Sequence, residues 1–306
     1  MKIVFMGTPE FAVPSLRMLM DYPGASVAGV FTQPDRPKGR GNRLTASPVK
    51  QAALEAGIPV FQPEKIRKTG VDALRELKPD LCITAAFGQI LSKEILDIPQ
   101  LGNINVHASL LPKHRGSAPV AHAILSGDKT AGVTTMMMDE GIDTGDMLLQ
   151  EETGIGESET CGELTERLSL LGADLLRKTL DELESGKLRR IPQNHSEMTY
   201  DPMLTKEMSR IDFSWKAEKV KGFINGLNPW PCVSILCKEG QLKLLRAVCE
   251  NGTGLPGSLL QADPREGLVI ACGCGAVRVL EVQAPGGKRM KAEDYLRGHS
   301  IVITEQ

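Results

Sequence analysis

Apolar residues in the first half of the chain fall in short unbroken runs, separated by stretches that repeat every three to four residues. Lys2–Gly7, 26–32, 58–61, Leu81–Ala85, 102–107 and 132–138 are short and apolar enough to be buried strands. Thr8-Pro9-Glu10 carries helix-start chemistry, with Thr at the cap, Pro at the first helical position and an acid in the first turn. Ser47-Pro48 opens a second helix that ends at Gly57. The segments 64–77 and 117–127 also read as helices, and Leu164, Leu168, Leu171, Leu175 and Leu176 give 161–186 a single apolar stripe. Strands alternating with helices predict an α/β domain with a doubly wound, mostly parallel sheet of Rossmann-like order, in which ligands bind at the carboxyl ends of the strands.

The pattern changes after residue 186. The next stretch is polar, contains Pro192 and Pro202 and has no period, which predicts a linker over 187–203. Beyond it, 220–227 reads as helical. The runs 232–237, 241–248, 258–261, 268–272 and 276–282 read as short strands separated by glycine-bearing turns. Short strands at this spacing predict a small β-barrel of the OB kind over 204–306, following a first domain over 1–186.

Composition narrows the class. At 306 residues the chain has room for two cores. No apolar run approaches the ~18 residues of a membrane span. The N-terminus carries one lysine and enters a strand pattern with no small-residue cleavage site, so no signal peptide is expected. The 7 cysteines are scattered, which suits a reducing compartment, here the cytoplasm. Cys272-Gly-Cys274-Gly reads as a glycine-rich hairpin turn rather than a zinc site, since no second pair or nearby His accompanies it. The net charge of −2 is unevenly spread: 204–306 hold 14 basic and 11 acidic residues, a net of +3, which leaves −5 for the rest. A basic rear part is compatible with a polyanionic partner, and equally with an ordinary solvated surface.

The chemistry gathers around Asn103-Ile-Asn-Val-His-Ala-Ser-Leu-Leu-Pro-Lys-His-Arg-Gly116. On a strand, Asn105 and His107 share one face while Ile104 and Val106 share the other. The residues alone leave His107 open between a structural and a catalytic histidine. Asp139-Glu-Gly-Ile-Asp143-Thr-Gly-Asp146 has four acids, but it lacks the EF-hand order and is open to reading as a plain acidic turn. The turn after the first strand, Gly7-Thr8-Pro9, has one glycine where a dinucleotide loop needs three, so nicotinamide binding is disfavoured. The segment 34–50 carries Arg36, Lys38, Arg40, Arg43 and Lys50 against Asp35, a local net of +4. With three prolines and two glycines it is expected to continue neither helix nor strand.

These stretches resemble the folate-dependent formyltransferases, and the resemblance covers nearly the whole chain. Asn-x-His-x-Ser-Leu-Leu-Pro matches the family signature beside the reacting carbon, and the acidic loop matches D-x-G-x-D-T-G-D at Asp143. Phe31-Thr-Gln-Pro-Asp-Arg-Pro-Lys-Gly-Arg-Gly41 is similar to a loop of the members that formylate methionyl-tRNA. Ala86-Phe-Gly-Gln-Ile-Leu91 is similar to their folate-pocket segment, with Phe87 where many have Tyr, and Asn228-Pro-Trp-Pro231 to their rear-domain signature. The resemblance implies Asn105, His107 and Asp143 as catalytic residues. It implies a folate pocket from Ser109, Leu110, Leu111, Pro112, Phe87, Gly88, Ile90 and Leu91, and a tRNA contact through Arg36, Lys38, Arg40 and Arg43. It further implies 10-formyltetrahydrofolate as co-substrate without a metal, and methionyl initiator tRNA as acceptor. A monomer with no membrane partner is expected. The alternative is a sugar-amine formyltransferase using the same donor, against which the basic loop argues. Purine-pathway members usually lack a rear barrel, no dehydrogenase module is present, and a noncatalytic nucleotide-binding module is the reading from outside enzymes.

Overall fold

In the computed structural model, which describes residues 1–38 and 43–305, the apolar runs of the first half pair into one sheet of seven strands. From edge to edge these are Val60–Phe61, Ser26–Phe31, Lys2–Gly7, Leu81–Ala85, Asn103–His107, Thr130–Met137 and Met147–Gly154. The first five run parallel, and Thr130–Met137 runs antiparallel to Asn103–His107. The chain winds outward from Lys2–Gly7 in one direction and then, from Leu81–Ala85, in the other. That reversal is where a crevice opens at the strand ends. Gly7 sits at it: a Cβ there would lie 2.8 Å from Ala12 Cβ and 3.0 Å from the Ala85 carbonyl, so only glycine lets the strand end approach its neighbour.

Two compact units result. One comprises Met1–Gly116, Gly132–Glu152 and Thr165–Tyr200, the other Ser117–Ala131, Thr153–Leu164 and 201–305. Within the first, several expectations are corrected. Thr8 is not a helix cap, and Pro9 is not inside the helix. A short 3-10 turn, Glu10–Ala12, precedes the helix Val13–Met20, and Thr8 donates its hydroxyl to the Phe87 carbonyl at 3.0 Å. The helix expected over 64–77 is two, Ile66–Thr69 and Val71–Leu77, because Gly70 interrupts it where a Cβ would lie 2.8 Å from Ile66. Met147–Gly154 is a strand that the apolar pattern does not predict, because half of its residues are polar and they do not alternate with apolar ones. The basic segment does form strands: Arg36–Lys38 pairs antiparallel with Arg43–Thr45. A free two-stranded ribbon tolerates Pro37 because it has an unpaired edge. Residues 187–202 are anchored, with Ile191 and Met147 exchanging backbone hydrogen bonds of 2.8 and 2.9 Å and Gln193 buried.

In the second unit, the antiparallel sheet runs Leu259–Asp263, Gly267–Ala271, Ala276–Gln283, Gly240–Glu250, Val233–Cys237 and Ile303–Glu305, an arrangement consistent with an OB-like barrel. Register shifts around Arg246 bend Gly240–Glu250 and free backbone groups from the ladder. Asn225 takes up two of them, donating to the Ala247 carbonyl at 3.0 Å and accepting from its N–H at 2.9 Å, and Asn228 donates to the Leu245 carbonyl at 2.6 Å. The Asn of Asn-Pro-Trp-Pro thus holds a bulge. Gly222 lets the helix Ala217–Gly226 close to 3.0 Å on the Ile124 carbonyl of the helix Pro119–Ser126, measured from where a Cβ would stand. Cys272 is buried and Cys274 exposed in the turn before Ala276–Gln283, both as free thiols.

Thr160 and Glu163 form a reciprocal cap ahead of the long helix Cys161–Glu184: Glu163 accepts from the Thr160 N–H at 3.0 Å, and Thr160 accepts from the Glu163 N–H at 3.4 Å. Glu163 also pairs with Arg246. Burial would raise its carboxyl, but the Thr160 hydrogen bonds and Arg246 outweigh that and hold it down at about 2 against an ordinary 4.5. A depressed carboxyl stabilises fully above its unfolded value and loses that contribution as pH falls through the folded one. Thermal melts should therefore drop more for the parent than for Glu163→Gln between pH 4.5 and about 3. The difference should be only a few degrees, because the carboxylate is half exposed and screened. Parallel melting curves would rule out the cap as an acid-sensitive element.

Candidate active site

Asn105 and His107 leave the same face of Asn103–His107, as a period of two requires. Asn105 is 8% exposed, and its side-chain amide has no hydrogen-bond partner among the described residues. The amide N–H is therefore left able to donate to a bound group. His107 is held more tightly. Its Nε2 lies 2.9 Å from the His114 carbonyl, so that nitrogen carries a proton and donates. The other nitrogen, Nδ1, faces Asp143 Oδ1 at 3.6 Å, an ion-pair distance rather than a hydrogen bond.

Asp143 is fixed from three sides. Its Oδ2 accepts from the Gly116 N–H at 2.9 Å. Its backbone is left-handed, with φ 52°, a region that Asp and Asn tolerate better than other side chains. Its carbonyl and that of Gly145 accept from Gln193 Nε2 at 2.9 and 2.7 Å. Gly145 has no room for a side chain, since a Cβ would sit 1.9 Å from the Met137 carbonyl.

The turn after His107 is shaped by Thr134, its partner across the sheet. Thr134 donates to the Ser109 carbonyl at 2.6 Å and accepts from the Leu111 N–H at 3.1 Å and from Gln150 at 2.9 Å. The Ser109 hydroxyl donates to the Lys113 carbonyl at 2.7 Å, which closes the turn on itself. Leu111 is buried, Leu110 packs where a Cβ on Gly132 would lie, and the Leu111–Pro112 peptide is cis. The other expected pocket segment divides. Phe87 and Leu91 point into the apolar core with Val4, Met6 and Phe31, whereas Ile90 is 67% exposed. Gly88 is exposed with φ 79°, and Gln33 Nε2 donates to its carbonyl at 2.8 Å and to that of Phe87 at 3.3 Å. Of the basic residues, Arg36 is exposed, Lys38 and Arg43 lie opposite each other on the hairpin, and Arg40 lies outside the described residues. Lys50 is not free to meet a ligand: it pairs with Asp35 at 2.6 Å, and Lys50 and Gln62 together lower the Asp35 carboxyl.

The residues 1–180 match a family model described as formyl transferase, and 203–300 match one described as formyl transferase, C-terminal domain. The chain belongs to the formyl transferase family. Methionyl-tRNA formyltransferases of Alkaliphilus oremlandii and Clostridium novyi are each 48% identical to it, over 98% and 99% of this chain and 97% and 98% of theirs. A solved N-formyltransferase of Helicobacter canadensis, in complex with folinic acid and dTDP-3-aminofucose, is 18% identical, covers 91% of this formyl transferase and 99% of its own chain, and superposes with a TM-score of 0.70. That likeness is one of fold. Among the described residues, no group of three or more His, Cys, Asp or Glu is arranged to hold a metal ion. Sequence reasoning missed Gln193, Arg115 and the Gly116 N–H. Arg115 follows the signature without belonging to it, and a lone Gln in a polar stretch carries no signal at all.

Proposed function

We propose that the chain transfers the formyl group of 10-formyltetrahydrofolate to the α-amino group of methionyl initiator tRNA. The observation that carries the acceptor is the 48% identity to methionyl-tRNA formyltransferases along nearly the full length of both chains. The geometry supports the reaction class. The amine attacks the formyl carbon, a C–N bond forms, and negative charge builds on the formyl oxygen. Collapse breaks the bond to the folate nitrogen, which takes up a proton as the amine gives one up. A fixed donor at the developing oxyanion is the largest single catalytic term in such reactions. The unpartnered Asn105 amide is that donor. Because His107 Nε2 is committed to the His114 carbonyl, the proton His107 offers is the one on Nδ1, present when the ring is cationic. Asp143 Oδ1 faces that nitrogen at 3.6 Å and accepts the amine's proton through a water. A free α-amine titrates near ~8, and an adjacent ester lowers that, so much of the nucleophile is neutral at pH 7 and the oxyanion matters more than deprotonation.

The folate donor occupies the crevice at the switch point. The turn 109–112 shapes one wall and the backbone of 86–88 with Ile90 the other, while Phe87 and Leu91 support it from the core. The first domain supplies the chemistry, and 204–306 bind tRNA in a cytoplasmic monomer. No described helix is long and apolar enough to cross a membrane.

Incubating the protein with 10-formyltetrahydrofolate and either methionyl initiator tRNA or an amino-sugar nucleotide tests the reading. Formyl-methionyl-tRNA is the expected product, and transfer to the sugar alone would overturn it. The hairpin is a tRNA contact in this reading. Replacing Arg36, Lys38, Arg40 and Arg43 by Ala should weaken tRNA binding and flatten its dependence on salt, by about 0.7–0.9 in log–log slope for each phosphate no longer neutralised. Folate affinity should not change. Filter binding at several salt concentrations measures both, and an unaltered slope with unaltered affinity makes the hairpin a solvated surface only.

A further inference from the structure

The acidic loop comes to His107 from an unfavourable direction. Met137 lies opposite Ile104 and Thr134 opposite His107, so the loop leaves from the far end of the strand and must double back to bring Asp143 onto the ring. The Gly116 N–H holds one carboxylate oxygen, but it does not fix the loop's backbone.

Gln193 does. Its Nε2 donates to the carbonyls of Asp143 and Gly145, which flank Thr144 within the return. Its Oε1 accepts from Arg115 Nε at 3.0 Å and Nη2 at 2.6 Å. A guanidinium has donors only, so Arg115 decides which end of the amide it meets and commits the N–H end to the loop. Both side chains are nearly inaccessible, Gln193 at 6% and Arg115 at 3%, so water cannot easily substitute for either bond. Gln193 belongs to the stretch between the long helix and the second unit, which explains why that stretch is anchored.

We infer that Gln193, oriented by Arg115, is the positioning residue that holds Asp143 against His107. The inference rests on the role given to Asp143 above. Two bonds to carbonyls on either side of Thr144, directly after the left-handed Asp143, restrict the turn to one geometry, and the distance from Asp143 to His107 follows from that geometry. Loss of the bonds lets the carboxylate drift while the folate crevice, on other elements, keeps its shape.

The test uses the full chain. Gln193→Met keeps the length and removes both donor and acceptor. Gln193→Glu keeps the acceptor for Arg115 and replaces the donors to the loop by a carboxylate oxygen, which the two carbonyls cannot accept from. Both are expected to lower kcat by about 10- to 100-fold, the scale of an ångström-size misplacement. KM for 10-formyltetrahydrofolate should stay within about twofold. In an Asp143→Asn background the same substitutions should lower kcat by less than about threefold, because residues acting through one group are not additive. Parent-like kcat in Gln193→Glu, a change confined to KM, or an equal loss in both backgrounds each overturns the inference. Parent-like kcat in Asp143→Asn alone is a different result: it removes the role of Asp143 and with it the basis for Gln193. Should Gln193→Met melt too low to assay, Gln193→Glu, which preserves the Arg115 contact, decides the question.

Discussion

Asn105→Ala is expected to lower kcat by about 100-fold or more, the effect of removing one oxyanion donor. Its melting temperature should stay within a few degrees of the parent, because the amide has no protein hydrogen bond to lose. Affinity for the folate should survive, since neither the turn at 109–112 nor the segment at 86–90 leans on Asn105. Asn105→Asp sharpens the test. It keeps shape and acceptor capacity and replaces the donor by a negative charge, so it should be at least as impaired as the alanine variant. Full turnover in Asn105→Asp would mean that Asn105 accepts rather than donates. His107→Ala is a less clean probe. It removes the donor to the buried His114 carbonyl as well as the ring facing Asp143, so loss of rate and loss of stability arrive together.

The second large effect is expected from Asp143→Asn. At φ 52° most side chains strain the backbone, and Asn is the replacement that fits. Its amide oxygen still accepts from the Gly116 N–H, so the loop keeps its place and only the charge opposite His107 Nδ1 is lost. A rate loss of about 100-fold or more is expected, within the span for removing a group that assists proton transfer. Stability should change little. Single-turnover kinetics with saturating donor and tRNA separate chemistry from binding. A parent-like chemical step would eliminate Asp143 as the partner of His107. Asp143→Ala would not discriminate, because a residue less at ease in left-handed backbone mixes strain with charge loss.

Much of this site was visible in one dimension. Strand periodicity placed Asn105 and His107 on one face, and the resemblance of the acidic loop pointed to Asp143. The same reasoning failed where a residue's use depends on distant partners. It treated 34–50 as breaking all regular structure, although the Arg36–Lys38 and Arg43–Thr45 strands needed only each other. It gave Thr8 to a helix when the Phe87 carbonyl, 79 residues away, had the better geometry. It counted Lys50 toward a local net of +4 without seeing that Asp35 holds it. It read 187–202 as a bare connection, although Gln193 lies within it.

The sequence by itself determined the alternation of strand and helix, the short strands of the rear part and the facing of Asn105 and His107. These follow from local periods of two and 3.6, which any segment carries without reference to the rest of the chain. Only the tertiary structure decided which nitrogen of His107 faces Asp143, that Phe87 and Leu91 turn inward while Ile90 does not, and that Gln193 stands behind the acidic loop. The placing of Asp143 and Gln193 rests on hydrogen bonds spanning 27 residues from Gly116 to Asp143, 50 from Gln193 to Asp143 and 78 from Arg115 to Gln193. A polar side chain has the same donors and acceptors wherever it stands, and burial beside a particular partner is what gives it a single task.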